Sequence, residues 1–303
     1  MFMLFKVFEN YSDKTFSLDK EEINIVVIGD MGRSEHQSKI KHNVVESIKK
    51  INNESKYDLG ILLGDNLYPD GFKKDDFSEI KEMFTDSFPK RDFDFDFITL
   101  LGNHEYRGDI LTSIKYYRTQ EPRFYQPGRF FMYTVNLSNT IIKFVCMDST
   151  PLVDSGLISP YTMDDVIQKK VLEEMLLNTT SSTYTFLLVH HNVMKGCGPH
   201  NPISDSNILH GFTLLTNISA VINGHNHNMQ LFPKGGDWNT NYLTVGNGAK
   251  ISKITKNYST DEQWCYDKSG GFGNLKITKT NALFEFIDEH GNVLRKVNIL
   301  PKE

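Results

Sequence analysis

The chain has 303 residues, 39% of them hydrophobic and 23% charged, and a formal net charge of -5. That composition supplies ample material for a globular core, gives no basic footprint for nucleic acid, and contains no apolar run long enough to span a bilayer. Three cysteines, Cys146, Cys197 and Cys265, are too few for a disulfide-built scaffold.

The opening stretch MFMLFKVFEN is apolar but short, with no basic start and no small-residue cleavage site. Residues 1–22 therefore read as a first strand or packed arm, with the remnant of a secretory signal as the alternative. INIVVIGD (23–30) follows as a buried strand. SEHQSKIKHNVVESIKKIN reads as a helix with Ile40, Val44, Ile48 and Ile51 on one face and Ser34 with Gln37 as a capping box. YDLGILLGD (57–65) is the next strand, and DDFSEIKEMFTDSF lines up Phe77, Ile80, Phe84 and Phe88 on one helical stripe. Strands then recur at FDFITLLGNH (95–104), IIKFVCMDS (141–149), YTFLLVHH (184–191) and AVINGHNH (220–227). YTMDDVIQKKVLEEMLLN forms a helix before the last two, with Val166, Leu172 and Met175 inward. Beyond residue 270 the text turns to strands around His290-Gly291-Asn292.

The strand segments are continuously apolar rather than alternating, which predicts sheets covered on both faces. One domain over residues 1–303, in an α/β class with layered sheets, accounts for this order. Cys146 reads as a buried thiol, while pairing of Cys197 with Cys265 is open. Sequons at Asn10, Asn53, Asn136, Asn178, Asn217 and Asn257 hint at a secretory route.

Polar residues gather where the strands stop. The first strand ends in Asp30, and the second in Asp65 with Tyr68 three residues on. The third ends in Asn103 and His104, and the later ones in His190 beside His191 and in His225 with His227. Each alone has a plain reading, since Gly-Asp after a strand is usually a turn and one histidine of a pair is usually a packed or solvated ring. Turn chemistry gives no reason for such residues at five strand ends in succession. Carboxylate, phenolate, imidazole and amide donors in one place suit metal ions, and seven are too many for one ion. Two ions sharing a carboxylate is an arrangement that displaces groups at phosphorus.

GDMG, GDNLY, GNHE, VHH and GHNH, in that order, resemble the purple acid phosphatases of the metallophosphoesterase superfamily. The likeness is greatest to the small animal-type branch that includes tartrate-resistant acid phosphatase, over about residues 23 to 250. The resemblance implies a four-layer α/β/β/α sandwich of two mixed sheets flanked by helices. It also implies Fe(III) held by Asp30, Tyr68, His227 and a bridging Asp65. A second, divalent metal (Fe, Zn or Mn) would be held by Asp65, Asn103, His190 and His225. Gly32 stands where other branches carry histidine, so Tyr68 is the donor particular to the purple enzymes. His104 is expected to bind or protonate the phosphate ester, and His200, at a slightly shifted spacing, to share that task.

The implied activity is an acid phosphatase that hydrolyses phosphomonoesters, small or on proteins, by in-line attack of a metal-bound hydroxide. A monomer in the secretory pathway, a lysosome-like compartment or outside the cell fits that class. Two other readings remain. One is a phosphodiesterase or nucleotide pyrophosphatase on the same scaffold; the other is a non-catalytic binding protein that kept the fold.

Overall fold

The computed structural model describes residues 12–153, 165–194, 196–200, 211, 213, 217–235, 239–255 and 263–302. Its strands are β1 (Ser12–Ser17), β2 (Glu22–Ile28), β3 (Leu59–Leu62), β4 (Phe97–Thr99), β5 (Phe124–Tyr125), β6 (Phe131–Leu137), β7 (Thr140–Cys146) and β8 (Tyr184–Val189). There follow β9 (Ala220–Asn223), β10 (Met229–Phe232), β11 (Asn241–Val245), β12 (Trp264–Tyr266), β13 (Gly271–Thr278), β14 (Ala282–Asp288) and β15 (Val293–Ile299). They form two mixed sheets, one ordered β15-β14-β13-β2-β3-β4-β5 and the other β1-β6-β7-β8-β9-β11-β10-β12.

Alternate residues of one strand enter different cores, which is why the strands read as continuously apolar. Ile25 and Val27 face the space between the sheets, where Ile61, Phe144, Phe186 and Ile222 meet them. Val26 and Ile28 face outward onto Val44, Ile48, Ile80 and Phe84. On the far side, Val145, Leu187 and Val221 pack against Leu172 and Met175 of the helix Asp165–Leu177. Helix, sheet, sheet and helix thus stack in four layers, as the resemblance implies. Each buried aliphatic or aromatic side chain contributes about 1.5–3 kcal/mol to holding the layers together.

Several local expectations shift by a few residues. The helix Lys39–Glu54 is capped by Ser38, whose Oγ accepts from Lys41 N at 3.1 Å. Gln37 does reach back to the Ser34 amide at 3.3 Å, so half of the expected box forms one turn early, in the lead-in to the helix. The aromatic stripe of Phe77, Ile80, Phe84 and Phe88 packs inward, but on a short α turn that widens into a π-helix at Lys81–Thr85. Val166 lies outside the described side chains. Residues 12–17 form an edge strand parallel to β6, while residues 1–11 lie outside the described set. At the other end, β14 and β15 turn through Gly291 at φ 86°, as the sequence suggests.

Lys41 is fully buried, and its ammonium donates to the carbonyls of Met31 and Met83, each at 3.0 Å. It ties the loop after β2 to the π-helix. Burial pulls its pKa down from 10.5 to about 7, against the weaker pull of Glu35 and Glu82. Between those two values the unfolded chain binds the extra proton, so this group makes stability rise with pH from about 7 toward 10.5. Lys41→Met should remove that rise in urea midpoints measured between pH 7 and 10. An unchanged slope would show that Lys41 is not the source.

Candidate metal centre

Strands β2, β3 and β4 run parallel and end at one edge of their sheet, delivering Asp30, Asp65 and Asn103. Strands β8 and β9 are parallel in the other sheet and deliver His190, His225 and His227. Several hydrogen bonds join the edges, the Gly248 amide to Gly29 O at 3.0 Å among them. His190 Nδ1 donates to Leu63 O at 2.8 Å, and the His225 amide donates to Asp30 Oδ2 at 2.7 Å. The His190 bond also fixes the tautomer that leaves His190 Nε2 facing the site.

All seven expected donors converge. On one side, Asp30, Asp65 and His227 bring donor atoms within 4.8 Å of one another. There the Tyr68 hydroxyl lies 3.0 Å from Asp30 Oδ1 and 3.1 Å from His227 Nε2, which is itself 3.4 Å from Asp30 Oδ1. On the other side, His190 Nε2 lies 3.2 Å from Asn103 Oδ1 and 3.3 Å from Asp65 Oδ1, and the His225 ring centroid is 5.1 Å from that of His190. Donors bound at about 2.1 Å to one ion sit roughly 3 Å apart, so these spacings fit a coordination shell on each side. Asp65 belongs to both.

The electrostatics point the same way. Burial, then the Asp30 and Asp65 carboxylates, hold the Tyr68 phenol well above its ordinary range. Only a cation at that spot reverses the sign and favours phenolate. Burial and the neighbouring His191 ring hold His225 well below the usual imidazole range, in the neutral form a metal needs. Burial opposes a proton on His190, but the Asp65 and Asp30 carboxylates outweigh it and raise its pKa. A cation between them would remove that attraction.

Backbone strain collects here as well. Among the described residues, four other than glycine adopt positive φ, and three of them are donors: Asp30 at 59°, Asp65 at 53° and His225 at 68°. Such left-handed turns cost free energy and aim the side chain off the strand end into the site. Two glycines let the pieces close up. A Cβ on Gly102 would lie 2.3 Å from Asp65 Oδ1, and one on Gly32 would lie 2.6 Å from Leu67 N. The Tyr68 amide also donates to Gly32 O at 2.8 Å. The loop that presents Tyr68 therefore fills the space that a side chain at position 32 would need.

The two histidines expected from the sequence to be catalytic lie beside the donors. His104 sits beside Tyr68, with ring centroids 4.5 Å apart and Nε2 3.8 Å from Asp65 Oδ2, and its Nδ1 hydrogen-bonds to Pro69 O. His200 is exposed, with its ring 4.4 Å from His225 and 6.4 Å from His227.

Three further residues were not singled out from sequence. His191 is buried, hydrogen-bonds through Nδ1 to Ser149 Oγ at 2.9 Å, and brings a donor atom within 4.8 Å of those of His190 and His225. Burial, then the charge of His190, holds it neutral. Glu105, the last residue of GNHE, is fully buried and accepts from four backbone amides. These belong to Asn66 at 2.7 Å, Asp65 at 3.0 Å, Leu67 at 3.2 Å and Gly102 at 2.6 Å. It binds the Asp65 loop to the Asn103 loop. Asn226, between the two histidines of GHNH, is the third. Its partners lie on loops far away in sequence, so no local pattern marks it.

The calcineurin-like phosphoesterase family matches residues 23–229, and the chain belongs to it. Among curated proteins, purple acid phosphatase 7 of Arabidopsis thaliana is 26% identical over 301 residues, covering 91% of this chain and 86% of its own length. Among solved structures, GAP50, described as the anchor in the inner membrane complex of Plasmodium, superposes with a TM-score of 0.80 at 17% identity, covering 94% of this chain and 90% of that one. Purple acid phosphatase PPD1 from yellow lupin, Lupinus luteus, superposes with a TM-score of 0.66 at 15% identity, covering 93% of this chain and 54% of that one. The chain is a metallophosphoesterase similar to purple acid phosphatases, with the sandwich fold those structures share.

Glu105→Ala strands four buried amides, each costing about 1–3 kcal/mol to leave unpaired. The variant should lose at least about 3 kcal/mol of unfolding free energy in urea, and Glu105→Gln, which keeps one acceptor oxygen, should lose less. Wild-type stability in the alanine variant would show that the cradle does not hold these loops.

Proposed function

We propose that this chain is a dinuclear metal phosphatase acting on phosphomonoesters. The observation that carries the reading is the complete donor set where the two sheets end together, with Asp65 common to two groups of ligand atoms. Asp30, Tyr68, His227 and Asp65 would hold a ferric ion, and Asp65, Asn103, His190 and His225 a divalent iron, zinc or manganese ion. Bound there, such a pair supplies Lewis acidity at phosphorus and an acidified water.

The chain's own side chains supply the rest. His104 is held by its backbone N–H to Asp65 Oδ1 at 3.0 Å and by its ring to Pro69 O, which directs Nε2 toward the phosphate. As the bond from water oxygen to phosphorus forms and the ester P–O bond breaks, the departing alkoxide takes a proton. His200, exposed beside His225, would give it. Burial and the neighbouring His227 ring lower the His200 pKa, so an anionic phosphate beside it is what favours its protonated state.

The Plasmodium neighbour is described as an anchor, so the fold alone does not decide between hydrolysis and binding. The intact donor set favours hydrolysis. The disulfide between Cys197 and Cys265 supports an oxidising compartment, as on the secretory route, and Asn53 and Asn217 are exposed sequon residues.

Two measurements test the assignment. Purified protein reconstituted with iron should turn over p-nitrophenyl phosphate at least about tenfold faster than bis(p-nitrophenyl) phosphate. Faster diester turnover would move it to the phosphodiesterases, and no turnover of either would make it a binding protein. Tyr68→Phe should abolish visible charge-transfer absorbance while far-UV circular dichroism stays unchanged. A band that survives the substitution would remove Tyr68 as its source, and wild-type protein with neither iron nor such a band would overturn the ferric assignment.

A further inference from the structure

His200 does not project from a strand end like the other histidines. It rides on residues 196–200, a short irregular segment that makes little regular structure of its own. Residues outside the segment hold it, and the hydrogen bond made by His200 itself goes to Asn226.

The His200 amide donates to Asn226 Oδ1 at 3.2 Å, and Asn226 Nδ2 donates in turn to Asn192 Oδ1 at 2.8 Å. Asn226 is fully buried, so its one amide group is spent on two loops with no water competing. Gly198 lies so flat on that amide that a Cβ there would come within 2.2 Å of Asn226 Cγ and Oδ1. Among the described residues, the other holds on the segment fall upstream of His200, and they include Thr255 Oγ1 donating to Gly198 O at 3.0 Å and to Cys197 O at 3.2 Å. The Cys197 amide donates to Gln230 Oε1 at 2.9 Å, the Thr255 amide donates to Cys197 O at 2.8 Å, and Cys197 is bridged to Cys265. Asn226 is thus the contact nearest His200, and its neighbours on either side are the donors His225 and His227.

We propose that Asn226 is a positioning residue that sets the His200 imidazole beside the His225 and His227 rings. A single rigid amide couples the place of the metal-site histidines to the place of the proton donor, so the two cannot drift apart. This rests on the phosphatase reading above, in which His200 protonates the leaving alkoxide. The chemistry it serves is cleavage of esters whose alcohols are poor leaving groups, since these need the proton most.

The test compares phenyl phosphate, whose leaving group needs a proton, with 2,4-dinitrophenyl phosphate, whose leaving group does not. It uses the full chain, as wild type, His200→Ala, Asn226→Leu and Gly198→Ala. The last leaves Asn226 in place and pushes the segment off its amide, which covers the case that Asn226→Leu fails to fold. In Asn226→Leu and His200→Ala, kcat on phenyl phosphate should fall roughly 100-fold. In Gly198→Ala the fall should be at least about tenfold, and kcat on 2,4-dinitrophenyl phosphate should stay within about threefold in all three. The double variant His200→Ala/Asn226→Leu should be no slower than His200→Ala alone. Separately, amide hydrogen exchange on the metal-free chain should show the His200 N–H at least about tenfold less protected in Asn226→Leu.

Equal losses on both esters, additive losses in the double variant, or an unchanged His200 amide would overturn the proposal. If the wild-type protein cleaves neither ester, the phosphatase reading falls. The exchange comparison then decides alone: faster exchange upholds the hold of Asn226 on the segment, and unchanged exchange overturns it.

Discussion

The site depends on two sheets ending at the same edge and being locked there in register. His190 reaches from its own sheet to the Leu63 carbonyl of the other, and the His225 amide reaches across to the Asp30 carboxylate. Each contact ties the backbone of one sheet to a donor of the other. Sliding one sheet against its partner would break the donor clusters and strand buried polar groups, so packing between the sheets and assembly of the site are one event.

The cost of that arrangement is visible in the backbone. Asp30, Asp65 and His225 sit in a left-handed conformation that their neighbours on the strands avoid. Carboxylates and imidazoles lie within a few ångströms of one another with little solvent between them. Without cations, Asp30 and Asp65 repel a phenolate at Tyr68, and burial and Asp65 together push the Glu105 carboxyl up to about 7. These are stresses that bound ions relieve, and a fold under such local strain gains stability from its metals.

Much of this was legible in the chain. Strand interiors announced themselves because each residue meets a core on one side or the other, as Ile25 and Val26 do. Most donors were legible because each follows the end of a strand, and Tyr68 through the likeness of GDMG and GDNLY to the purple acid phosphatases; the structure adds that Gly32 has no room for a side chain. What stayed hidden depends on distant partners. The strands β10 to β12 are short, and β12 is held only at a sheet edge. Glu105 looks like one more acidic residue until four amides from two loops are seen to point at it. Asn226 acts across loops separated from it by 26 and 34 residues, and the pairing of Cys197 with Cys265 spans 68. The cap of the first helix moved to Ser38 because its hydroxyl has a second partner, Ala249 O at 2.7 Å, which no local pattern contains.

If one carboxylate is common to both halves of the site, the ions must come as a close pair. Anomalous diffraction from crystals of the iron-loaded protein tests this without reference to any substrate. Two peaks about 3.5–4 Å apart, with Asp65 between them, are the expected result. A lone peak, or ions lodged away from Asp65, would refute the shared-carboxylate architecture and the function built on it.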